Sequence, residues 1–448
     1  MVGSTDTIAA LATPVGTAAI AVVRLSGPAT REIGEGIFGQ LAAPRAALHG
    51  DYHDHDGTVL DDVLVTFFAA PNSYTGEDTL EISCHGNPFI AQKILQDLLR
   101  RGCRSAEAGE FTKRAFLSGR IDLSQAEAVM DLIHARSERA LAAANQQLRG
   151  SLGRRMDELI ALLVNILAMV EAYIDFPEED LPPEDRDAVM QQLRKLQAGT
   201  AALLATGHYG EMLRSGIRTI IVGEPNAGKS SLLNRLVGHD RALVSAEPGT
   251  TRDYLEETIS IGAHALRLID TAGFNTNPTA LEERGMAKAL EQAATADLFL
   301  WVIDAAAPLP ALPKALAALV NSRNTLAVFN KSDLAAPSSV PADLPSLRLS
   351  ALTGDGFDEF RSMLAKLADA FRTDVGDEVI AINARHAQAL SRATQTLAAA
   401  QAKLAGNEPI ELISSDLRET LHAFGEISGR IDNERILDAL FLNFCIGK

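Results

Sequence analysis

Apolar residues repeat in three ways along this chain, and the changeovers divide it. From Met1 to about Gly119 short apolar runs alternate with turn clusters. Val63 to Phe68 leads into Pro71-Asn72-Ser73, and Ala91 to Arg101 has a helical period, so a small α/β domain is predicted. Ile8 to Val23 reads as strand, turn at Pro14 and Gly16, then strand. From Asp122 to about Thr206 apolar residues recur at three and four and glycine is sparse, which predicts helices broken at Pro177, Pro182 and Pro183. From Ile217 to about Ala370 the runs Ile220-Ile221-Val222, Leu266 to Ile269, Leu298 to Ile303, Leu326 to Phe329 and Leu347 to Leu349 alternate with helical stretches, the pattern of a parallel sheet in βα units. After Asp374 the helical period returns. The fold class is multidomain, α/β plus all-α, with an α/β domain inserted into a helical one. The expected bounds are 1–119, 120–215, 216–372 and 373–448.

Composition narrows the classes. At roughly 150 residues per domain, 448 residues suit about three domains. Charged residues at 22% and hydrophobic residues at 47% exclude a disordered or fibrous chain. A net charge of −17 excludes a general polyanion binder. Positions 171 to 190 hold eight acids and one arginine, so a solvated acidic loop is expected there. Three cysteines without a CxxC pair argue against a disulfide framework or structural zinc and for a cytoplasmic chain. The longest apolar run, Leu159 to Val170, is 12 residues, short of the ~18 to 20 a membrane span needs, and is expected to be a buried helix.

Gly223-Glu224-Pro225-Asn226-Ala227-Gly228-Lys229-Ser230 fits GxxxxGK[ST] between an apolar strand and a helix that opens with Ser231. Glycines let backbone N–H groups converge on phosphates, Lys229 reaches the outer phosphates, and Ser230 offers a hydroxyl to Mg²⁺. Four elements follow in the order a GTPase needs. Gly249-Thr250-Thr251-Arg252-Asp253 supplies Thr251 as a second hydroxyl for Mg²⁺. Asp270-Thr271-Ala272-Gly273 ends a strand, with Asp270 expected near the metal and the Gly273 N–H near the γ-phosphate. Asn330-Lys331-Ser332-Asp333 places a carboxylate for the two donors on one edge of guanine, and Ser350-Ala351-Leu352 would close over the base. The expected nucleotide is GTP. Phe274 stands where Ras-like GTPases carry a water-orienting Gln, so the catalytic polar group is expected elsewhere, with Glu282 and Glu283 as candidates.

With these motifs in place, further runs carry a resemblance over the whole chain. They include Asp6-Thr7-Ile8, Arg24-Leu25-Ser26-Gly27, Pro71 to Asp78, His85-Gly86, Gly109-Glu110-Phe111-Thr112, Ile121 to Ala128, Glu282-Glu283-Arg284-Gly285 and the terminal Cys445-Ile446-Gly447-Lys448. The chain resembles the MnmE (TrmE) family of bacterial tRNA-modifying GTPases. The resemblance implies an N-terminal domain that binds a tetrahydrofolate derivative (5-formyl- or 5,10-methylene-tetrahydrofolate) and dimerises, a helical domain from two segments, and an inserted P-loop GTPase domain. It implies a homodimer that joins the flavoprotein MnmG (GidA) in a heterotetramer and modifies C5 of the wobble uridine of certain tRNAs. It further implies K⁺ held by Asn226, Ser245, Glu247 and Thr250, a water positioned by Glu282, and folate contacts at Arg24, Glu81, Arg120 and Lys448, with Cys445 a candidate catalytic thiol. Arg120 stands where some members have Lys, and two adjacent acids leave the choice between Glu282 and Glu283 open. The five GTPase elements alone also suit an RNA-binding assembly switch of the Era or EngA type.

Other features have plainer readings. His49, His53 and His55 with Asp51, Asp54 and Asp56 look like a metal cluster, but Gly50 and Gly57 frame them and polar hairpin loops commonly alternate His and Asp, so a hairpin loop is the expected reading. Positions 100 to 120 carry six basic residues against Glu107 and Glu110, a candidate tRNA phosphate patch or a solvated surface. Cys84, Cys103 and Trp301 are expected in cores.

Overall fold

The computed structural model describes residues 5–175, 183–240, 256–270, 290–371, 380–406, 408–429, 444 and 447. Two compact units divide them: residues 1–130 with 425–448, and residues 131–424.

The first unit is built on a six-stranded sheet of order β3-β4-β5-β2-β1-β6: β1 (Ile8–Leu11), β2 (Ile20–Ser26), β3 (Ala47–His53), β4 (Val59–Phe68), β5 (Thr79–His85) and β6 (Arg104–Ser105). All its pairings are antiparallel except β1 with β6. Strand alternation puts Val23, Leu25, Leu80 and Ile82 into one core with Ile33 and Ile37 of α1 (Thr30–Phe38) and Ile94 and Leu98 of α2 (Pro88–Arg100). Cys84 and Cys103 are buried in the same core. The α2 helix starts three residues before the apolar period because Asn87 caps it, accepting from the Phe89 N–H at 2.9 Å, and Pro88 follows with its fixed φ. On the opposite face Phe111 of α3 (Glu110–Leu117) packs on Ile8 and Ala10.

The basic stretch from 100 to 120 is not a free phosphate patch. Arg101 is paired with Asp97 at 2.7 Å, Arg104 with Asp6 and Glu110, and Arg114, itself buried, with Asp6, Glu77 and Glu110. These three arginines are paired with carboxylates, which lessens the positive field that the stretch offers to an RNA backbone, while Arg120 stays exposed. Burial acts to raise the Glu110 carboxyl, but donors from Arg104, the Glu107 N–H and Arg114 outweigh it and hold it below its ordinary value of 4.5. Because the folded value is the lower one, this stability is complete above about pH 4.5 and is lost as pH falls through the folded value. Glu110→Gln is therefore expected to lower the melting temperature at pH 7, with the gap to wild type closing toward pH 3. A gap of constant size across that range would remove Glu110 from acid stability.

The second unit holds a six-stranded sheet of order β12-β11-β10-β7-β9-β8: β7 (Ile217–Val222), β8 (Glu256–Ile261), β9 (His264–Asp270), β10 (Leu298–Asp304), β11 (Thr325–Asn330) and β12 (Ser346–Arg348). It is not wholly parallel, since β8 runs antiparallel to β9 at the edge. Among the residues of β8 whose side chains are described, Ile259 and Ile261 are the buried ones, so it lacks the continuous apolar run of the central strands. Both faces of the centre are covered. Leu232 and Leu236 of α9 (Lys229–Asp240) pack on one side, and Trp301, 5% exposed, is in the core on the other. The long helices α6 (Ser151–Asp175) and α7 (Pro183–Ala205) make the expected helical region, α7 opening at Pro183. Leu163 and Ile166 are fully buried in α6, but Val164 is 46% exposed, so the run Leu159 to Val170 is buried on one face only and not throughout as expected, because a helix packed on one side leaves its other side to solvent. With α4 (Leu123–Ile133), α5 (Glu138–Leu148) and α8 (Gly207–Ser215) preceding the sheet, the later helices are α10 (Lys314–Ala317), α11 (Phe357–Asp369), α12 (Ala384–Ala405) and α13 (Ile410–Ser428). Arg214 of α8 donates to Asp131 at 2.9 Å and to the Ile382 carbonyl at 2.9 Å, holding together the chain just before β7 and the chain after residue 380. No helix among the described residues is long and apolar enough to cross a membrane.

Candidate functional site

The phosphate loop follows β7 and opens on the first turn of α9, and a helix N-terminus favours an anion. Two glycines are demanded by close approach. A Cβ on Gly223 would lie 2.2 Å from the Val302 carbonyl, and one on Gly228 would lie 2.0 Å from Asn330 Nδ2. Asn226 takes the left-handed conformation, φ 62°, which asparagine tolerates better than most residues. Buried Lys229 folds its ammonium onto the Gly223 and Glu224 carbonyls at 3.1 and 2.9 Å, at the concavity a phosphate would enter. Ser230 and Ser231 are exposed on the first turn. Asp270 pairs in register with Ile221, so the end of β9 lies beside the loop's origin.

Asn330 joins the phosphate and base elements. Fully enclosed at the end of β11, it donates from Nδ2 to the Ala227 carbonyl at 2.9 Å and accepts at Oδ1 from the Ala351 N–H at 2.9 Å. Buried Ser350 accepts the Thr353 N–H at 3.1 Å and shapes the turn after β12. Asp333 is exposed, its carboxylate available to a base edge. Lys331 is left-handed, φ 63°, and pairs with Asp304 at 2.7 Å. Burial acts to raise the Asp304 carboxyl, but the Lys331 ammonium and the Ala306 N–H outweigh it and lower it. Asp304 went unrecognised in the sequence. Its place directly after a central apolar strand was the available signal, because ligands bind at the carboxyl ends of parallel strands.

Ser245, Glu247, Thr250, Thr251, Thr271, Ala272, Gly273, Glu282, Glu283, Cys445 and Lys448 lie outside the described residues.

In the first unit Arg24 of β2 and Glu81 of β5 are cross-strand neighbours on the sheet face away from the α1 and α2 core. Arg24 donates to Glu81 Oε1 from Nε at 2.9 Å and from Nη2 at 2.7 Å, while Nη1 donates to the Gly447 carbonyl at 3.2 Å. Its guanidinium carbon is 5.7 Å from the Phe111 ring centre and 5.9 Å from that of Tyr74. Gly447 has φ 93°, and a Cβ there would lie 2.3 Å from the Leu11 carbonyl, so its backbone comes close against β1. Arg120 is exposed beside the 74–76 turn. The His and Asp cluster begins in β3, where His49 pairs with Asp62 at 2.7 Å, and no group of three or more metal-ligating residues occurs among the described residues.

The family model of the GTP-binding protein TrmE N-terminus matches residues 7–120, and that of the MnmE helical domain matches residues 123–445. The chain belongs to the MnmE family. The tRNA modification GTPase MnmE of Opitutus terrae is 56% identical over 447 residues, covering 99% of each chain. The MnmE of Akkermansia muciniphila is 44% identical, again over 99% of each. Among solved structures, the G domain of the T. maritima FeoB iron transporter is 22% identical, over 34% of this chain and 98% of that one, with a TM-score of 0.25. The MnmE relatives match from end to end, so both the nucleotide pocket and the Arg24–Glu81 face lie within the matched length.

Proposed function

We propose that this chain hydrolyses GTP to drive the installation of an aminomethyl or carboxymethylaminomethyl group on C5 of the wobble uridine of certain tRNAs. It would act in the cytoplasm as a homodimer, in a heterotetramer with the flavoprotein MnmG (GidA). The observation that carries the reading is the Asn330 side chain tying a phosphate loop to a base loop, in a chain that matches tRNA modification GTPases over its whole length.

In this reading Lys229 and the N–H groups from Asn226 to Ser231 hold the phosphates, and Asp333, Lys331, Ser350 and Ala351 hold guanine. Ser230 and Thr251 ligate Mg²⁺, with Asp270, Thr271, Ala272 and Gly273 around it and the γ-phosphate. Asn226, Ser245, Glu247 and Thr250 hold K⁺, whose positive charge serves where other GTPases use an arginine finger. Glu282, or Glu283 beside it, orients the attacking water.

The Arg24–Glu81 face suits a folate. Glu81 is an acceptor for the amide and amino donors of a pteridine edge, and Arg120 and Lys448 are cations for glutamyl carboxylates. A bound tetrahydrofolate derivative supplies the one-carbon unit. The residues of this chain hold and orient it, and Cys445 would act as a nucleophile or acid.

Nucleoside analysis of tRNA from cells lacking the protein tests the reading. The C5-substituted wobble uridines are expected to disappear and to return on complementation. An unchanged nucleoside profile would overturn the proposal and favour an assembly switch.

A further inference from the structure

We propose that Arg235 is a positioning residue for guanine. By holding three successive carbonyls of the loop that closes over the base, it sets how long a guanine nucleotide stays bound. The inference rests on the guanine-nucleotide reading of this pocket.

Arg235 lies on α9, the helix that begins at the phosphate-loop lysine. Its Nη1 donates to the Ala351 carbonyl at 2.7 Å and the Leu352 carbonyl at 2.9 Å, and its Nη2 to the Thr353 carbonyl at 3.1 Å. The guanidinium carbon lies 5.8 Å from the Phe357 ring centre. The neighbouring Gly354, φ 97°, leaves room for it, since a Cβ there would meet Nη2 at 2.2 Å. Three carbonyls turned to one side of a tight turn need a donor with several N–H groups in a fixed plane, which guanidinium has and an ammonium lacks.

Other bonds on this loop gather at its two ends, where Thr353 Oγ1 donates to Asp355 at 2.8 Å and the Ser350 N–H to the Asp355 carbonyl at 3.0 Å. Leu352 is 83% exposed, so side-chain burial does not hold it. The Ala351 N–H bonds to Asn330, and Gly354 N–H and Thr353 N–H bond back to Ser350. In a trans peptide the N–H points opposite to the preceding C=O. With the Ala351 carbonyl drawn to α9, the Leu352 N–H is turned away from that helix, and it has no partner among the described residues. A nucleobase oxygen is a fitting acceptor for it. Arg235 thus links the helix behind the phosphates to the loop over the base, so both ends of the nucleotide site share one support.

The test is dissociation of a fluorescent N-methylanthraniloyl GDP from the full-length protein. Arg235→Ala is expected to speed it about ten-fold or more, the loss of roughly one charge-assisted hydrogen bond. KM for GTP should rise by a similar factor while kcat changes much less, because the loop holds ground state and transition state alike. Arg235→Lys, which keeps the stem and one charge, should fall between. Wild-type dissociation rates in both variants would overturn the inference. So would a loss of kcat and melting temperature together that Lys does not relieve, since that marks a structural role only. If Arg235→Ala does not fold, Arg235→Lys decides alone: faster dissociation supports positioning, and a wild-type rate refutes it. Failure of the wild-type protein to bind GDP would overturn the nucleotide reading itself.

Discussion

Deletion of Cys445-Ile446-Gly447-Lys448 is expected to abolish tRNA modification while potassium-stimulated GTP hydrolysis and dimerisation persist. Terminal residues of a domain usually fray unless something ties them down. Here the Gly447 carbonyl is held by Arg24 Nη1 at 3.2 Å, and Gly447 passes so close to Leu11 that a side chain would not fit. Gly447 thereby meets the same guanidinium that pairs with Glu81. The anchor is a backbone carbonyl, which any residue would offer, so folding does not explain why a thiol and an ammonium flank it. Cys445→Ser should lose modification as the deletion does if the thiol reacts, and should keep it if only the backbone anchor matters. Modification, hydrolysis and dimerisation are to be measured in one preparation. Full modification by the truncated protein would make the tail dispensable, and loss of all three would make it structural.

Replacing potassium by sodium is expected to slow GTP hydrolysis by roughly 10²-fold or more, the scale seen when one preorganised charge-stabilising group is removed from a transition state. Phe274 has no group to orient water, and stabilisation must come from elsewhere. Asn226 is left-handed and exposed at the phosphate loop, a position from which its amide oxygen can serve a cation. Asn226→Ala should therefore slow the potassium reaction toward the sodium rate. Glu282→Ala should lower kcat with little change in nucleotide affinity, since positioning of water is felt in the transition state. Should Glu283→Ala behave this way instead, Glu283 is the residue that positions the water. Equal rates in the two salts would refute the cation's role.

Much of the nucleotide site was legible because its parts are local in sequence. The phosphate loop needs Gly228, Lys229 and Ser230 at fixed spacing on one strand-to-helix turn, and the base motifs Asn330 to Asp333 and Ser350 to Leu352 each end a β-strand segment or follow one. The central strands β7, β10 and β11 were legible for a related reason. Buried on both faces, they read as unbroken apolar runs. Edge strand β8 was missed because one-sided burial leaves only alternation, which Glu256 to Ile261 shows weakly.

Motif spacing and hydrophobic period thus determined from sequence alone that this chain carries a P-loop domain between helical segments, and which residues to propose for its phosphate and base contacts. Tertiary structure alone decided partners. Glu81 stands 57 positions from Arg24, and Ala227 stands 103 positions from Asn330, so no local pattern announces either contact. The same holds for Arg235 and its three carbonyls, and for Arg104 and Arg114, which looked like part of a phosphate patch and proved to be paired with carboxylates, Arg114 buried and Arg104 at the surface. A residue's charge and hydrogen-bonding groups are written at its own position. What neutralises or uses them depends on which distant strands pair, and that is set by the summed burial of many side chains together.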